Sequence, residues 1–545
     1  MVVPFHRMRP VPHLAQRTLM ILLGAALGLC VVAVEAASPE RPRATVNTDD
    51  VRPTGRTIAV PAGGNFQAVL NAAQPGDVIT LEAGATFQGP FTLPKKSGTG
   101  WIVVRTSAPD DRLPPSGTRV TPASAAVMPK VVVGTGSGGA IVAAPGAHHF
   151  RFIGIEVRPV AGAFVYTLME LGSGSVTSEA MLPHDIIVER CYIHGDAARG
   201  GRRGIALNGM SLAVIDSYLA DFKEVGADSQ AMMGWNGPGP FKIVNNHLEA
   251  AGENVMFGGA DPAIHSLVPS DIEIRQNHFF KPLSWREGDP SYAGTPWTIK
   301  NLFELKNARR VLVEGNVFEN IWRAAQDGFA LQLTVRNQYG GAPWSTLEDV
   351  IFTHNIVRHA GSGINILGTD DPNPSQSMKR VLIQNNVFED VNGARWGGHG
   401  RVFQILDYRV GTTDVVIDHN TAFQDGPVVF ADGKPHAGFV YRNNLSSKGN
   451  YGVFGSGASE GLVTIRTYFP GAVFLKNVVV GATPSFYPPD NFFPTSMEKV
   501  GFVDLAGGNY RLGVSSPYKK AGTDGRDIGA DIDALPLPRA ISERH

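Results

Sequence analysis

The sequence predicts an all-β chain wound as a parallel solenoid, and three observations carry that reading. Short apolar–polar segments recur in one register, each turning at a single polar residue. They alternate with period two, as half-buried strands do, and carry no helical period. The composition is glycine-rich and charge-poor. Gly makes up 63 of 545 residues against a typical ~7%, and charged residues 18% against ~25%, which suits many short strands joined by turns.

Composition also removes whole classes of function. Forty-eight basic residues balance 49 acidic ones, so neither a basic nucleic-acid binder nor a polybasic membrane-surface protein fits. At 43% hydrophobic residues, general disorder is excluded.

Residues 1–36 are expected to be a signal peptide. Arg7, Arg9 and Arg17 lead an apolar run from Leu19 to Val34, and the small residues Ala36, Ala37 and Ser38 follow. The expected location is therefore secreted or periplasmic, with no membrane association after cleavage. Cleavage removes Cys30 and leaves Cys191 as a small buried hydrophobe, without a disulfide partner. Residues 37–60, rich in Pro, Arg and Thr, are expected to form a flexible lead. A short helix over 66–73 presents Phe66, Val69, Leu70 and Ala73 on one face, and Pro75-Gly76 stops it. Val78–Leu81 then begins the strands, so this helix is the expected N-terminal cap of a β-helix running over 61–500. Residues 501–545 form the C-terminal cap and tail.

The repeat turns at Cys191, Ser217, Asn246, Asn277, Asn316, Asn355, Asn386, Asn420, Asn444 and Asn477, at spacings of 24 to 39 residues. Strand, one-residue bend and strand at that period describe one coil of a parallel β-solenoid. Asn is expected at the bend because it tolerates the left-handed backbone region, and because stacked amides can bond along the axis. A propeller or a string of sandwiches would need hairpin turns, and Asn-Gly signals for them are scarce.

The FQAVLNAAQPGDVITLEAG opening, the N-x-[VIF] ladder and the closing SPYKKAGTDGRDIGAD (516–531) resemble the secreted right-handed parallel β-helix proteins of the pectate-lyase-like superfamily. The likeness covers nearly all of 60–533. It implies a right-handed, single-chain β-helix. Lyases, hydrolases, esterases, epimerases and tail-spike adhesins share that fold, so chemistry must be argued from a site.

In a solenoid the core positions are occupied, which leaves outward strand positions and insertions for function. On the third strand of each coil, alternation sends Phe303, Leu305, Leu331, Leu333, Ile364, Ile366, Phe403 and Ile405 inward. Glu304, Lys306, Gln332, Thr334, Asn365 and Gln404 then face outward as a polar stripe. Long insertions flank it and carry Trp285, Trp297, Trp344 and Trp396. This is the shape expected of a groove for an extended, acidic polysaccharide, with Gln332, Asn365, Gln404, Trp285 and Trp344 as substrate contacts. The plainer alternative is that any solvated strand carries polar residues outward.

Within the stripe, Glu304-Leu305-Lys306 projects an acid and a base to one side. Proton abstraction next to a uronate carboxylate needs a base and a cation that stabilises the enolate-like intermediate. The pattern resembles the Glu-and-Lys strand of the alginate lyase and chondroitinase B family. That resemblance implies Lys306 as base, Arg336 as the assisting cation, and Glu304 as a calcium ligand with Glu253 or Asn254. Calcium is the one cofactor it implies. Asn307 stands where that family has Ser, and Arg336 lies several residues later than its counterpart. As a plain surface feature, Glu304/Lys306 is a cross-coil ion pair. A second constellation, Asp370-Asp371 with Gly398-His399-Gly400, resembles the polygalacturonase-type hydrolases, although the Arg-Ile-Lys element expected after it is missing. Loop capping is the ordinary role for such aspartates. Three readings therefore stand: a polysaccharide lyase acting by β-elimination, a glycoside hydrolase, and a non-catalytic glycan binder. The expected partner in each is a polysaccharide, bound by a monomer.

Overall fold

The computed structural model describes residues 36–136 and 138–536. The expected signal peptide lies outside the described residues, apart from its last residue. Among those described, three long all-parallel sheets of 14, 13 and 12 strands run side by side, and each successive strand of a coil belongs to the next sheet. That is a parallel β-helix. In one coil, Ser270–Arg275 lies in the 14-stranded sheet A, His278–Phe280 in the 13-stranded sheet B and Asn301–Leu305 in the 12-stranded sheet C. The chain then re-enters sheet A at Ala308–Glu314.

The ladder sits at the corner between sheets A and B, and its bonds repeat without a break. Oδ1 of each Asn from Asn277 to Asn477 accepts the backbone N–H and the Nδ2–H of the preceding ladder Asn, at 2.9–3.2 Å. Its Nδ2 also donates to a main-chain carbonyl one coil back, as Asn316 does to Ile274 at 2.9 Å. An amide offers two acceptor and two donor sites, and here all four are filled. The backbone explanation is corrected, however. The left-handed residue is the one before each ladder position: Asn245, Gln276, Gly315, His354, Asn385, His419, Asn443 and Lys476 have φ between 51° and 67°. The Asn is chosen for its amide, because a buried corner stacks N–H and C=O groups that only a side chain with both donor and acceptor can serve. One further rung, Asn491, closes the C-terminal end by bonding Asn477.

The expected inward register holds. Phe303, Leu305, Leu331, Ile364, Ile366 and Ile405 are fully buried in one continuous core, where Phe303 lies 6.0 Å from Phe279 between ring centres. Cys191 is buried with them, and burial pushes its thiol up to about 12, so it is inert at neutral pH. The cap helix spans Phe66–Ala72. Asn65 caps it by accepting from Ala68 N–H, and Phe66 packs on Phe87 and Phe91 across the open end of the core.

Residues 37–60 differ from the expected flexible lead. Thr57–Val60 is the first strand of sheet A. Upstream of it, Val46 is buried against Ile187 and Ala213 on the outer face of that sheet. Glu40 and Arg43 donate backbone N–H groups to Asp349 and Asp271, and Arg151 reaches Thr48 and Asp49 carbonyls. The Pro-rich composition hides a strap, since its anchors are backbone groups and single apolar residues. At the other end, Phe502–Asp504 and Asn509–Leu512 form an antiparallel hairpin. The closing 516–531 segment then runs back along late coils, bonding Asn443, Thr421 and Asn385.

Replacing Asn316 with Ala strands the Asn277 N–H and the Ile274 carbonyl in the interior, each an unpaired group of about 1–3 kcal/mol. Urea unfolding of Asn316→Ala is expected to show a loss of about 2–4 kcal/mol. Phe303→Ala, which leaves a ring-sized void, is expected to cost about 3–5 kcal/mol in the same measurement. Near-wild-type midpoints would contradict the ladder and the register respectively.

Candidate functional site

The outward stripe exists as a column. Glu304, Gln332, Asn365 and Gln404 occupy equivalent positions on consecutive strands of sheet C. Their amides bond one another: Asn365 Nδ2 donates to Gln332 at 2.7 Å, and Gln404 Nε2 donates to Asn365 at 2.9 Å. Arg401 donates to Gln404 and lies over the Phe430 ring. Lys306 and Arg336 meet at the end of the stripe on neighbouring coils, where Arg336 N–H donates to the Lys306 carbonyl at 2.9 Å. Each carries its own counter-charge. Lys306 Nζ is 3.5 Å from Glu304, and Arg336 Nη1 is 2.8 Å from the buried Asp370 and 3.9 Å from Asp371. Burial raises the Asp371 carboxyl, against the pull of Arg336.

The three candidate calcium ligands do not fit that ion. Asn254 turns away from Glu304: its Nδ2 donates to the Leu248 and Phe280 carbonyls, and its Oδ1 accepts from the Lys281 ammonium. Glu253 already holds a cation, Lys300, at 2.7 Å, and accepts from Gln230. Glu304 accepts from Asn301 Nδ2 at 3.1 Å. Burial would lower the Lys300 ammonium, but the carboxylates Glu253 and Glu304 raise it, so a lysine charge already stands beside these two acids.

The hydrolase constellation is divided. His399 N–H bonds Ser362 Oγ at the start of strand Ser362–Leu367, while Asp370 and Asp371 follow its end. About 16 Å of strand separates them. The two tryptophans assigned to one groove are divided too. Trp344 donates to the Leu267 carbonyl beside the Lys306 end of sheet C, and Trp285 is buried over sheet B.

Sheet B carries a site that the sequence reading passed over. Strands Tyr218–Phe222, His247–Ala250 and His278–Phe280 floor a cleft of about 1030 Å³. The 282–297 insertion and residues 119–121 wall it. Its aromatic lining includes Tyr218, Phe280, Trp285 and Trp297, with the Lys223 ammonium 5.1 and 5.4 Å from the two indole rings. Alternation after each ladder residue turns Tyr218, His247, Glu249 and His278 outward. Between Leu219 and Phe222 the pairing slips by one residue, and Asp221 takes a left-handed φ of 60°. That bulge delivers Asp221 to the cleft beside Glu249 on the next coil. Asp221 N–H donates to Glu249 at 3.2 Å, and Lys223 Nζ holds the Asp221 carboxylate at 2.5 Å.

The charges here are shifted by burial. Desolvation, with Asp221 as a neighbouring negative charge, pushes the Glu249 carboxyl up to about 8, so it keeps its proton at neutral pH. Burial holds His247 well below its ordinary value, and the neutral ring stacks on Tyr218 at 4.1 Å. Its Nε2 is a buried polar atom without a hydrogen-bond partner, 3.8 Å from Glu249. Behind the cleft, Lys281 is fully buried, and burial pushes it down to about 7 although its ammonium donates to three carbonyls and to Asn254. Outward alternation on the strand after the ladder would have exposed the His247-x-Glu249 pair. The bulge that aims Asp221 has no comparable signature in the sequence.

No family model and no curated protein matches this chain. Among solved structures it is similar to the PL6 family alginate lyase AlyGC, at 13% identity and a TM-score of 0.49 over 90% of this chain. It spans 59% of that lyase's length. It is similar to the catalytic unit of the thermostable GH87 α-1,3-glucanase from Streptomyces thermodiastaticus, at 13% identity and TM-score 0.49, covering 83% of this chain and 72% of that one. Pectate lyase Pel9A matches at 14% identity and TM-score 0.32, over 87% and 96% of the two chains. These likenesses concern the parallel β-helix alone, and no residue role follows from them.

Because the folded carboxyl of Glu249 binds its proton more tightly than the unfolded one, the native state holds extra proton between about pH 4.5 and pH 8. The stability this confers is complete below pH 4.5 and lost as pH rises through 8. Urea unfolding across that window is expected to show a falling contribution that Glu249→Gln removes. An unchanged pH profile in Glu249→Gln would place the proton elsewhere.

Proposed function

We propose that the protein cleaves glycosidic bonds of an extended polysaccharide in the cleft over sheet B. The carrying observation is the pair formed by the buried Glu249 carboxyl and the Asp221 carboxylate, beneath the indoles of Trp285 and Trp297. Aromatic faces bind sugar rings by stacking, and a cleft of this size has room for several of them. Glu249 acts as general acid and gives its proton to the glycosidic oxygen as that bond breaks. Water adds its hydroxyl to the anomeric carbon, and its proton passes to the Asp221 carboxylate. The two carboxyls end with their protons exchanged, and return through solvent completes the cycle. His247 Nε2 is placed for a sugar hydroxyl, and the Lys223 ammonium donates to the Asp221 carboxylate at 2.5 Å.

A second reading, β-elimination on a uronate polymer, is favoured by one observation: Lys306 and Arg336 adjoin on neighbouring coils with the Glu304–Gln404 stripe beside them. In that reading Lys306 takes the proton next to the carboxylate and Arg336 faces the carboxylate itself. No step in it is routed through calcium.

Neutral and uronate-containing polysaccharides, offered in parallel, distinguish the two. New reducing ends without the ultraviolet absorbance of an unsaturated sugar are expected. Glu249→Gln should lower turnover by about 100-fold or more, the usual contribution of a positioned acid. Lys306→Ala should leave the rate unchanged. Unsaturated product that disappears in Lys306→Ala and persists in Glu249→Gln would establish the second reading and overturn the first. Binding without any product would leave a glycan-binding surface.

A further inference from the structure

Eight strands of sheet A begin with a corner of one kind. The second or third residue of the strand takes a left-handed φ: His149 at 58°, Asp185 at 52°, Ser211 at 55°, then Asp271, Arg310, Asp349, Arg380 and Asp414. Side chains at this corner stack from coil to coil. Further along the axis the column is filled by ion pairs, Arg310 with Asp271 at 2.7 Å and Arg380 with Asp349 at 2.6 Å. In the early coils the carboxylate has different neighbours. Asp185 Oδ1 accepts from Ser211 Oγ at 2.7 Å, while Asp185 Oδ2 faces His184 Nδ1 at 2.7 Å and His149 Nδ1 at 3.9 Å. His148 and His184 are in register on adjacent coils, and their rings stack at 4.8 Å.

We propose that His148, His149, His184 and Asp185 form a binding site for a divalent transition-metal ion of borderline softness, such as zinc. The ligand atoms of His149, His184 and Asp185 all lie within 4.8 Å of one another. His148 Nδ1 is 2.8 Å from His149 Nδ1. Two imidazole nitrogens bound to one ion at about 2.0–2.1 Å stand about 2.9–3.4 Å apart, a spacing the His148–His149 pair already approaches. The outer contacts already suit it. His148 Nε2 lies 3.0 Å from the Lys96 carbonyl, which fixes the proton on Nε2 and turns the Nδ1 lone pair toward the cluster. Ser211 occupies one carboxylate oxygen and leaves the other facing the imidazoles. His149, His184 and Asp185 are already gathered, and His148, in contact with His149, would supply the fourth ligand of a closed set, the composition of a structural rather than a catalytic site. The ion would take the place that arginine holds at the same corner of later coils and clasp the coils of His148 and His184 together.

Calorimetric titration of the full chain, free of any histidine tag, with zinc alone tests this. One equivalent is expected to bind, to raise the thermal midpoint, and to be lost in His184→Ala. Ser211→Ala should weaken binding by about 10-fold, as loss of a ligand's own support does. Calcium should produce neither heat nor a shift. Absence of zinc binding, or binding unchanged in His184→Ala, would overturn the proposal. Should His184→Ala fail to fold, cobalt(II) added to the wild-type chain decides. Intense visible bands of a four-coordinate ion support the site, and the pale spectrum of a six-coordinate ion contradicts it.

Discussion

The structure depends on a buried amide column. Each ladder Asn from Asn277 to Asn477 fills all four of its hydrogen-bonding sites with the preceding rung, the following rung and a carbonyl one coil back. No apolar residue can do this, and aspartate lacks the donors. An unpaired main-chain group at that buried corner would cost about 1–3 kcal/mol, so from Asn246 onward the column fixes where each coil turns, however long its insertions. Coils of 24 to 39 residues therefore share one register.

Fixed register turns positions into columns. A residue one step past the ladder always faces outward on sheet B, and one near the middle of the third strand always faces outward on sheet C. Where a column fills itself with complementary partners, it is structural. The Gln332–Asn365–Gln404 amides and the Arg310–Asp271 and Arg380–Asp349 pairs are of that kind. In a few places the filling changes. On sheet B, Asp221 and Glu249 stand together and burial keeps a proton on one of them. At the sheet A corner, His149 stands where later coils place arginine, with His148 and His184 beside it. The Lys306–Arg336 end of sheet C is intermediate, since both cations already carry acidic partners.

The fold was legible because its signal is periodic. The Asn bends, the inward Phe303 and Leu305, and the cap helix beginning at Phe66 each follow from burial pattern and spacing. The strap over sheet A was not legible, because its anchors are main-chain N–H groups reaching Asp271 and Asp349 more than two hundred residues away. The candidate site was legible in part. Alternation placed Glu304 and Gln332 outward, but it says nothing of what lies opposite them. Asn254 resembled a metal ligand in sequence, yet its amide serves Lys281. Asp221 needed a bulge to reach Glu249, and Trp285 needed its insertion folded over sheet B. Neither arrangement follows from local pattern.

The proposed cleft holds sugar over sheet B rather than over sheet C. The most direct measurement is a crystal structure of the Glu249→Gln protein with a bound oligosaccharide drawn from whichever polysaccharide it recognises. Sugar rings are expected to stack on Trp285 and Trp297, with a glycosidic oxygen within hydrogen-bonding distance of the amide introduced by that substitution. An oligosaccharide lying instead along Gln332, Asn365 and Gln404, with a carboxylate against Arg336, would contradict it.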